Sequence, residues 1–282
     1  MARPTIEPVT DATLPEFAAF LHQHLRSARS AACWEAGLRH QWSPGAGNYG
    51  YVLRDDGRIV GGIGAYYADR TLNGRHARVC NITSWCVLDT YRQQSTRLAL
   101  SLLNQGGLHY TNFSPTAVVA STLKFFKFKE IDAGVTVFLN LPSLAAGVRV
   151  LDAPQDIEAA LAGDALAAWR DHTVFPWLRH AVVGRDGRWC HVVYKRTLYK
   201  GLPAASVLHV SDKALFAAHA RRLSSYWLHR GMVTTHVETR FLPRAPWPSA
   251  RRSGFSPKLF LSDSLVADDI DYLYSESVAL DL

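Results

Sequence analysis

Two arginines and two small hydroxyl side chains crowd into Arg92-Gln93-Gln94-Ser95-Thr96-Arg97, directly ahead of leucines at 98, 102 and 103. The first turn of a helix presents unpaired amides and the positive end of the helix dipole, so it favours an anion. Arginine and hydroxyl side chains placed there add charge-assisted contacts to phosphate. The run before this turn, Cys80 to Leu88, offers Asn81, Thr83 and Ser84 as polar groups, with Cys80 and Cys86 alternating along it. Tyr91 and Tyr110 are the nearest phenols in sequence. Further along, His209, His236 and Glu238 fall on strand-like runs, and a histidine that titrates near neutrality can act as a general base. Cys86 as a nucleophile lacks an activating histidine beside it in sequence. His191 and His209 have no zinc-like spacing, and the four cysteines (Cys33, Cys80, Cys86, Cys190) are widely spaced without a Cys-x-x-Cys pair. They read as reduced thiols, and no metal is predicted.

These residues need elements to hold them. Thr13-Leu14-Pro15-Glu16 has capping-box spacing and predicts a first helix to about Arg26; a second spans Ala31 to Trp42 and ends before Ser43-Pro44-Gly45. Asp55-Asp56-Gly57 and Asn73-Gly74 are hairpin turn signals, so Tyr51–Leu53, Ile59–Tyr67 and Val79–Leu88 form a three-strand meander. A helix over Arg92–Leu103 stops at Gly106-Gly107, and a short strand follows near Leu108–Phe113. Ser114-Pro115-Thr116 opens another helix ending near Phe126, and Val135–Leu139 closes this half as a strand.

Residues 151 to 282 repeat the pattern. Asp186-Gly187-Arg188 repeats Asp56-Gly57-Arg58, Thr197-Leu198 repeats Thr71-Leu72, Gly231 repeats Gly107 and Phe255 repeats Phe128, in order and at similar offsets. Such self-similarity indicates a duplication. The linker falls near Leu141 to Asp156, which divides the chain into domains 1–145 and 146–282.

With 282 residues, 48% hydrophobic and 20% charged, the chain has enough apolar content for two modest cores, which excludes global disorder. No apolar run is long enough to span a membrane and the N-terminus lacks the order of a signal peptide, so a cytoplasmic protein without membrane contact is expected. The net charge of +7 suits an anionic partner. Lys195 to Lys258 holds twelve basic residues against Asp212 and Glu238, whereas Asp263, Asp268, Asp269, Asp271, Glu276 and Asp281 follow without a basic residue. The acidic tail is expected to fold back on the basic stretch. Arginines interleaved with aromatics can bind nucleic acid, but Leu223 and Trp227 share the spacing of core packing, so no nucleic-acid partner is predicted.

Over Asn48 to Asp132 the pattern resembles the GNAT superfamily of acyl-CoA N-acyltransferases. The resemblance implies an α/β fold with central, mostly antiparallel mixed sheets flanked by helices, here twice in tandem. In that family a strand with a splayed end feeds a turn of the form Arg/Gln-x-x-Gly-x-Gly/Ala that holds the cofactor pyrophosphate. Arg92 takes the first position, while Ser95 and Arg97 stand where glycines belong. Leu123 replaces the usual tyrosine acid and Lys127 the later glycine. In the second copy Ser211-Asp212-Lys213-Ala214 replaces the turn, and its acidic residue opposes phosphate.

The resemblance therefore implies acetyl-CoA or another acyl-CoA bound in the first half by Cys86, Val87, Arg92, Gln93, Gln94, Ser95, Thr96, Arg97 and Thr116. It implies Ser84, Tyr110, His209 and Glu238 as catalytic groups, with the substrate enclosed in a cleft between the halves. The expected activity is N-acyl transfer to an amine of a small metabolite, amino acid or sugar. An acidic acyl carrier protein as donor, docking on the basic stretch, and a non-catalytic binding module are the alternatives.

Overall fold

The computed structural model describes residues 4–25, 27–43, 45–72, 74–143 and 147–281. The chain divides into two compact units: one comprises residues 1–131, 256–269 and 274–282, the other 132–255 and 270–273.

The first unit is a seven-stranded sheet. In spatial order it holds β1 (Thr5–Pro8), β2 (Gly50–Asp55), β3 (Arg58–Leu72), β4 (Arg75–Val87), β5 (His109–Asn112), β14 (Lys258–Leu261) and β6 (Lys129–Ile131). All neighbours are antiparallel except β4 and β5. Asp56 and Gly57 both adopt positive φ, 44° and 77°, which is the two-residue turn geometry that matches strand twist. Asn73 lies outside the described residues, and Gly74 beside it has φ of 72°.

Helices α1 (Leu14–His24), α2 (Ala31–Arg39), α3 (Ser95–Leu103) and α4 (Ala117–Phe125) flank the sheet, and α8 (Glu276–Ala279) completes the unit. Leu98 and Leu102 of α3 and Leu123 of α4 are fully buried with Ile63, Ile82 and Leu259. Each such leucine contributes about 1.5–3 kcal/mol of apolar burial, and this anchors α3 against the strand that precedes it.

The second unit repeats the order. Its sheet runs β8 (Arg149–Leu151), β9 (Leu178–Arg185), β10 (Arg188–Tyr199), β11 (Leu202–Val210), β12 (Thr234–Glu238), β7 (Val135–Leu139) and β13 (Ser249–Arg252), again with one parallel pair, β11 and β12. Helices α5 (Pro154–Ala160), α6 (Gly163–His172) and α7 (Lys213–His229) flank it. Asp186 and Gly187 repeat the first hairpin turn with φ of 52° and 77°. Gly107 and Gly231 both take positive φ, 73° and 76°, but Gly231 directly follows the C-cap of α7 whereas Gly107 lies three residues beyond that of α3.

Several expectations change. Thr13 does not form a capping box: its hydroxyl bonds Thr10, and Glu16 pairs instead with Arg54. Val135–Leu139 does not close the first sheet but pairs with β12 and β13 of the second. Reciprocally, β14, from the far end of the chain, takes the place between β5 and β6. The units therefore part at Ile131/Asp132, ahead of the proline-containing linker, whose residues 144–146 lie outside the described residues. Hydrogen-bond pairing decides this boundary, and composition does not report pairing. Phe255 is 40% exposed whereas Phe128 is buried, so this fourth repeat marker has no shared packing role.

The acidic tail folds back on the basic stretch only over residues 270–273, where Arg240 also donates to the Ile270 carbonyl. Asp271 pairs with His209 in the second unit, but Glu276 is fully buried in the first. No helix among the described residues is long and apolar enough to cross a membrane.

Candidate active site

The site grows from the way β4 leaves its neighbours. On one side it pairs with β3, where Gly62 faces Cys86 and Gly64 faces Thr83, so β4 carries one extra residue there. This is a bulge, and Ser84 within it takes φ of 49°. Gly64 on β3 gives the bulge room, since a Cβ there would meet Thr83 Cγ2 at 3.1 Å, and Gly62 makes room for the Phe17 ring of α1. On its other side β4 pairs with β5 only from Val79/His109 to Asn81/Thr111, and then continues to Val87 alone. The strands part, and the backbone polar groups of this stretch have no strand on the β5 side to bond.

A cavity of about 470 Å³ lies where they part. Thr83, Ser84 and Trp85 of β4 form one wall, and Asn112, Ser114, Pro115 and Thr116 after β5 form another. Leu25, Arg29 and Trp34, from α1 to α2, close it. Thr116 is the N-cap of α4 and accepts from the Val119 amide at 3.3 Å, which fixes the second wall. Ser84 and Thr83 exchange a hydroxyl hydrogen bond at 3.3 Å. Arg29 is the single charged side chain of the lining among the described residues; it donates to the carbonyls of Leu280 and Asp281 and sits over the Trp34 ring.

Behind this cavity is a carboxylate that sequence reasoning counted only as tail charge. Glu276 is 0% exposed; its Oε1 accepts from the Phe113 amide at 3.1 Å and from the Ser114 hydroxyl at 3.0 Å. Its own amide donates to Asn81 Oδ1 at 2.9 Å, while Asn81 Nδ2 donates to Thr111 at 3.1 Å. Oε2 is buried without a partner. Burial pushes the carboxyl above the ordinary carboxylate range, opposed by these hydrogen bonds. The available signal was context: Glu276 sits among Tyr272, Leu273, Tyr274, Val278 and Leu280, more apolar than a solvated tail.

The phosphate turn differs from its sequence reading. Asp89–Gln94 is a 3₁₀ turn that runs directly into α3, so the helical start falls at Leu88–Asp89. The Ser95 amide is already bonded to the Arg92 carbonyl. Arg92 is exposed and paired with Asp89 at 2.7 Å, and Arg97 donates to the Pro4 carbonyl at 2.9 Å. Gln93 and Thr96 are exposed, and Gln94 and Ser95 are half-buried. Tyr91 donates to Asp55 at 2.6 Å. Cys86 and Val87 stand on β4 beyond the bulge, where burial raises the Cys86 thiol and so disfavours a nucleophilic thiolate.

Three of the expected catalytic groups are committed elsewhere. The buried Tyr110 hydroxyl faces the carbonyls of Leu102, Leu103 and Gln105 at 3.0, 3.2 and 2.8 Å, so it closes the C-terminal turn of α3 instead of reaching the cavity. In the second unit, Glu238 is buried in an ion pair with Arg240 at 2.6 Å and accepts from Tyr272. There too, His209 bonds Asp271 at 2.7 Å and lies beside His191, which stacks on His180. Burial lowers His180 to about 4 and holds His191 well below the ordinary imidazole range. His236 bonds Thr234 at 3.1 Å. Among the described residues, no cluster of His, Cys, Asp and Glu has the arrangement of a metal site.

No protein-family model matches the chain, and no curated protein matches it in sequence. Solved structures do match in shape. A GCN5-related N-acetyltransferase from Anabaena variabilis aligns over 92% of this chain and 72% of its own, with a TM-score of 0.62 and 10% identity. One from Kribbella flavida aligns over 91% and 70%, at 0.57 and 14%. Eis1 from Mycobacterium abscessus aligns over 91% and 72%, at 0.53 and 14%. These likenesses in shape, together with two seven-stranded sheets whose first five strands follow the same order, show that the chain carries the GNAT fold, twice in tandem.

Proposed function

We propose that the protein is an acyl-CoA-dependent N-acyltransferase that moves an acetyl or other acyl group to an amine of a small metabolite, amino acid or sugar. The parting of β4 from β5 over a cavity carries this reading. An extended pantetheine arm can bond the unpaired side of β4 as an added strand, which sets a thioester beside Ser84 and Trp85. The amine nitrogen then attacks the thioester carbonyl carbon, the oxyanion collapses, the C–S bond breaks, and a proton passes from nitrogen to sulfur. Donors fixed near the developing oxyanion supply much of the rate, and the displaced backbone of the bulge at Ser84 is where this chain offers them. The CoA phosphates fall to the turn at Asp89–Arg97, with Arg92 as the exposed cation.

Isothermal calorimetry against CoA, acetyl-CoA and a longer acyl-CoA tests the reading. One saturable site per chain, weakened in Arg92→Ala, supports it. No heat with any of the three sinks it and leaves an acyl carrier protein donor or a non-catalytic role.

A further inference from the structure

Glu276 is an expensive residue to keep where it is. A buried carboxylate loses its hydration, and here only one of its oxygens is repaid, by the Phe113 amide and the Ser114 hydroxyl. A glutamine would satisfy both donors through its own carbonyl oxygen without carrying charge. Anchoring the tail therefore does not explain the choice of acid, whereas an appetite for a proton does.

The direction of the Ser114 hydroxyl says where that proton comes from. Its single hydrogen points to Glu276 Oε1 at 3.0 Å, so its lone pairs are left to accept. Ser114 lines the cavity together with Ser84 and Trp85, and its hydroxyl hydrogen bond reaches Glu276, which is not itself in the lining. We propose that Glu276 is the base of the transfer reaction and that it acts through Ser114, the group that touches the acceptor amine. The assignment rests on the acyltransferase reading above.

As the amine nitrogen bonds the thioester carbon, its N–H proton passes to Ser114 Oγ while the Ser114 proton passes to Glu276. When the C–S bond breaks, the same path returns the proton to the thiolate, leaving an amide and free CoA. The ionisable neighbours are Arg29, from the α1–α2 connection, and Tyr66 of β3, whose hydroxyl donates to Gly37 at 3.1 Å. Tyr66 feels the Glu276 charge, and burial keeps it neutral, while Arg29 is committed to the carbonyls of Leu280 and Asp281.

Release of thiol from acetyl-CoA with hydroxylamine as a small amine probe tests the assignment, alongside calorimetry of acetyl-CoA binding. Glu276→Gln keeps both anchoring hydrogen bonds. It is expected to bind acetyl-CoA as the parent does, to lose about 10²- to 10⁴-fold in rate, the usual worth of a general base, and to lose the acid limb of the pH profile. Ser114→Ala is expected to fall similarly and the double variant no further, because the two act as one unit. Formate is expected to restore part of the rate to Glu276→Ala. Full rate and an unchanged pH profile in Glu276→Gln overturn the assignment, as does binding without any protein-dependent thiol release from pH 5 to 9. Absence of acetyl-CoA binding is a different failure, that of the acyltransferase reading itself.

Discussion

The amide of Glu276 donates to Asn81 Oδ1 at 2.9 Å, joining residues 195 positions apart at the point where β4 and β5 separate. Asn81 also holds Thr111 across the parallel pair, so one side chain fixes both the strands and the short helix behind them. Asn81→Ala strands a buried hydroxyl and removes the anchor of α8. The expected loss is about 1–3 kcal/mol, the cost of unsatisfied buried groups, read by urea denaturation. Asn81→Asp is expected to destabilise more, since it sets a second buried carboxylate beside Glu276. Parent-like stability in both variants would show that the contact does not hold the helix.

Asp89 sits at the start of the helical segment and neutralises Arg92 through an exposed pair at 2.7 Å. Such a pair contributes little to stability, yet it places negative charge where phosphate would bind. Asp89→Asn is expected to tighten CoA binding several-fold in calorimetry, with the gain shrinking as salt rises. Unchanged affinity would place the phosphates away from this turn.

Tyr110 closes α3 and does not line the cavity. Tyr110→Phe is expected to cost about 0.5–1.5 kcal/mol, the net worth of one hydrogen bond, with the pH profile of thiol release unchanged. A lost alkaline limb would return the acid role to this phenol.

His191 is buried and His180 half-buried in the second unit, and desolvation holds both below the ordinary imidazole range, His180 at about 4 against 6.5 in the unfolded chain. Between those values the unfolded state binds more protons than the native one, so stability falls as pH drops through this window and is fully present above it. Each such imidazole contributes a slope of about 1.4 kcal/mol per pH unit. His191→Leu is expected to make the fall between pH 6.5 and 5 shallower in thermal unfolding. An unchanged slope would assign acid sensitivity to the carboxylates.

Local chemistry determined much of this protein. The Asp-Gly turns at 56–57 and 186–187, the glycine that follows α7 and the leucine spacing of α3 act through neighbours in sequence, and from them follow the hairpins and the markers of the repeat; the fold was implied by the family resemblance. The bulge at Ser84 and the role of Thr116 as a helix cap also lie near residues singled out by type alone. Tertiary structure decided the rest, because strand pairing and burial depend on partners far along the chain. Val135–Leu139 has the same alternation whichever sheet receives it, and only hydrogen bonding to β12 and β13 assigns it. Arg92 and Arg97 carry the same charge in sequence whether they meet phosphate, Asp89 or the Pro4 carbonyl. Glu276 reads as one acid among six in a tail until β14 and α8 bring that tail into the first sheet's unit, where burial raises its carboxyl above the ordinary range and Ser114 links it to the cavity.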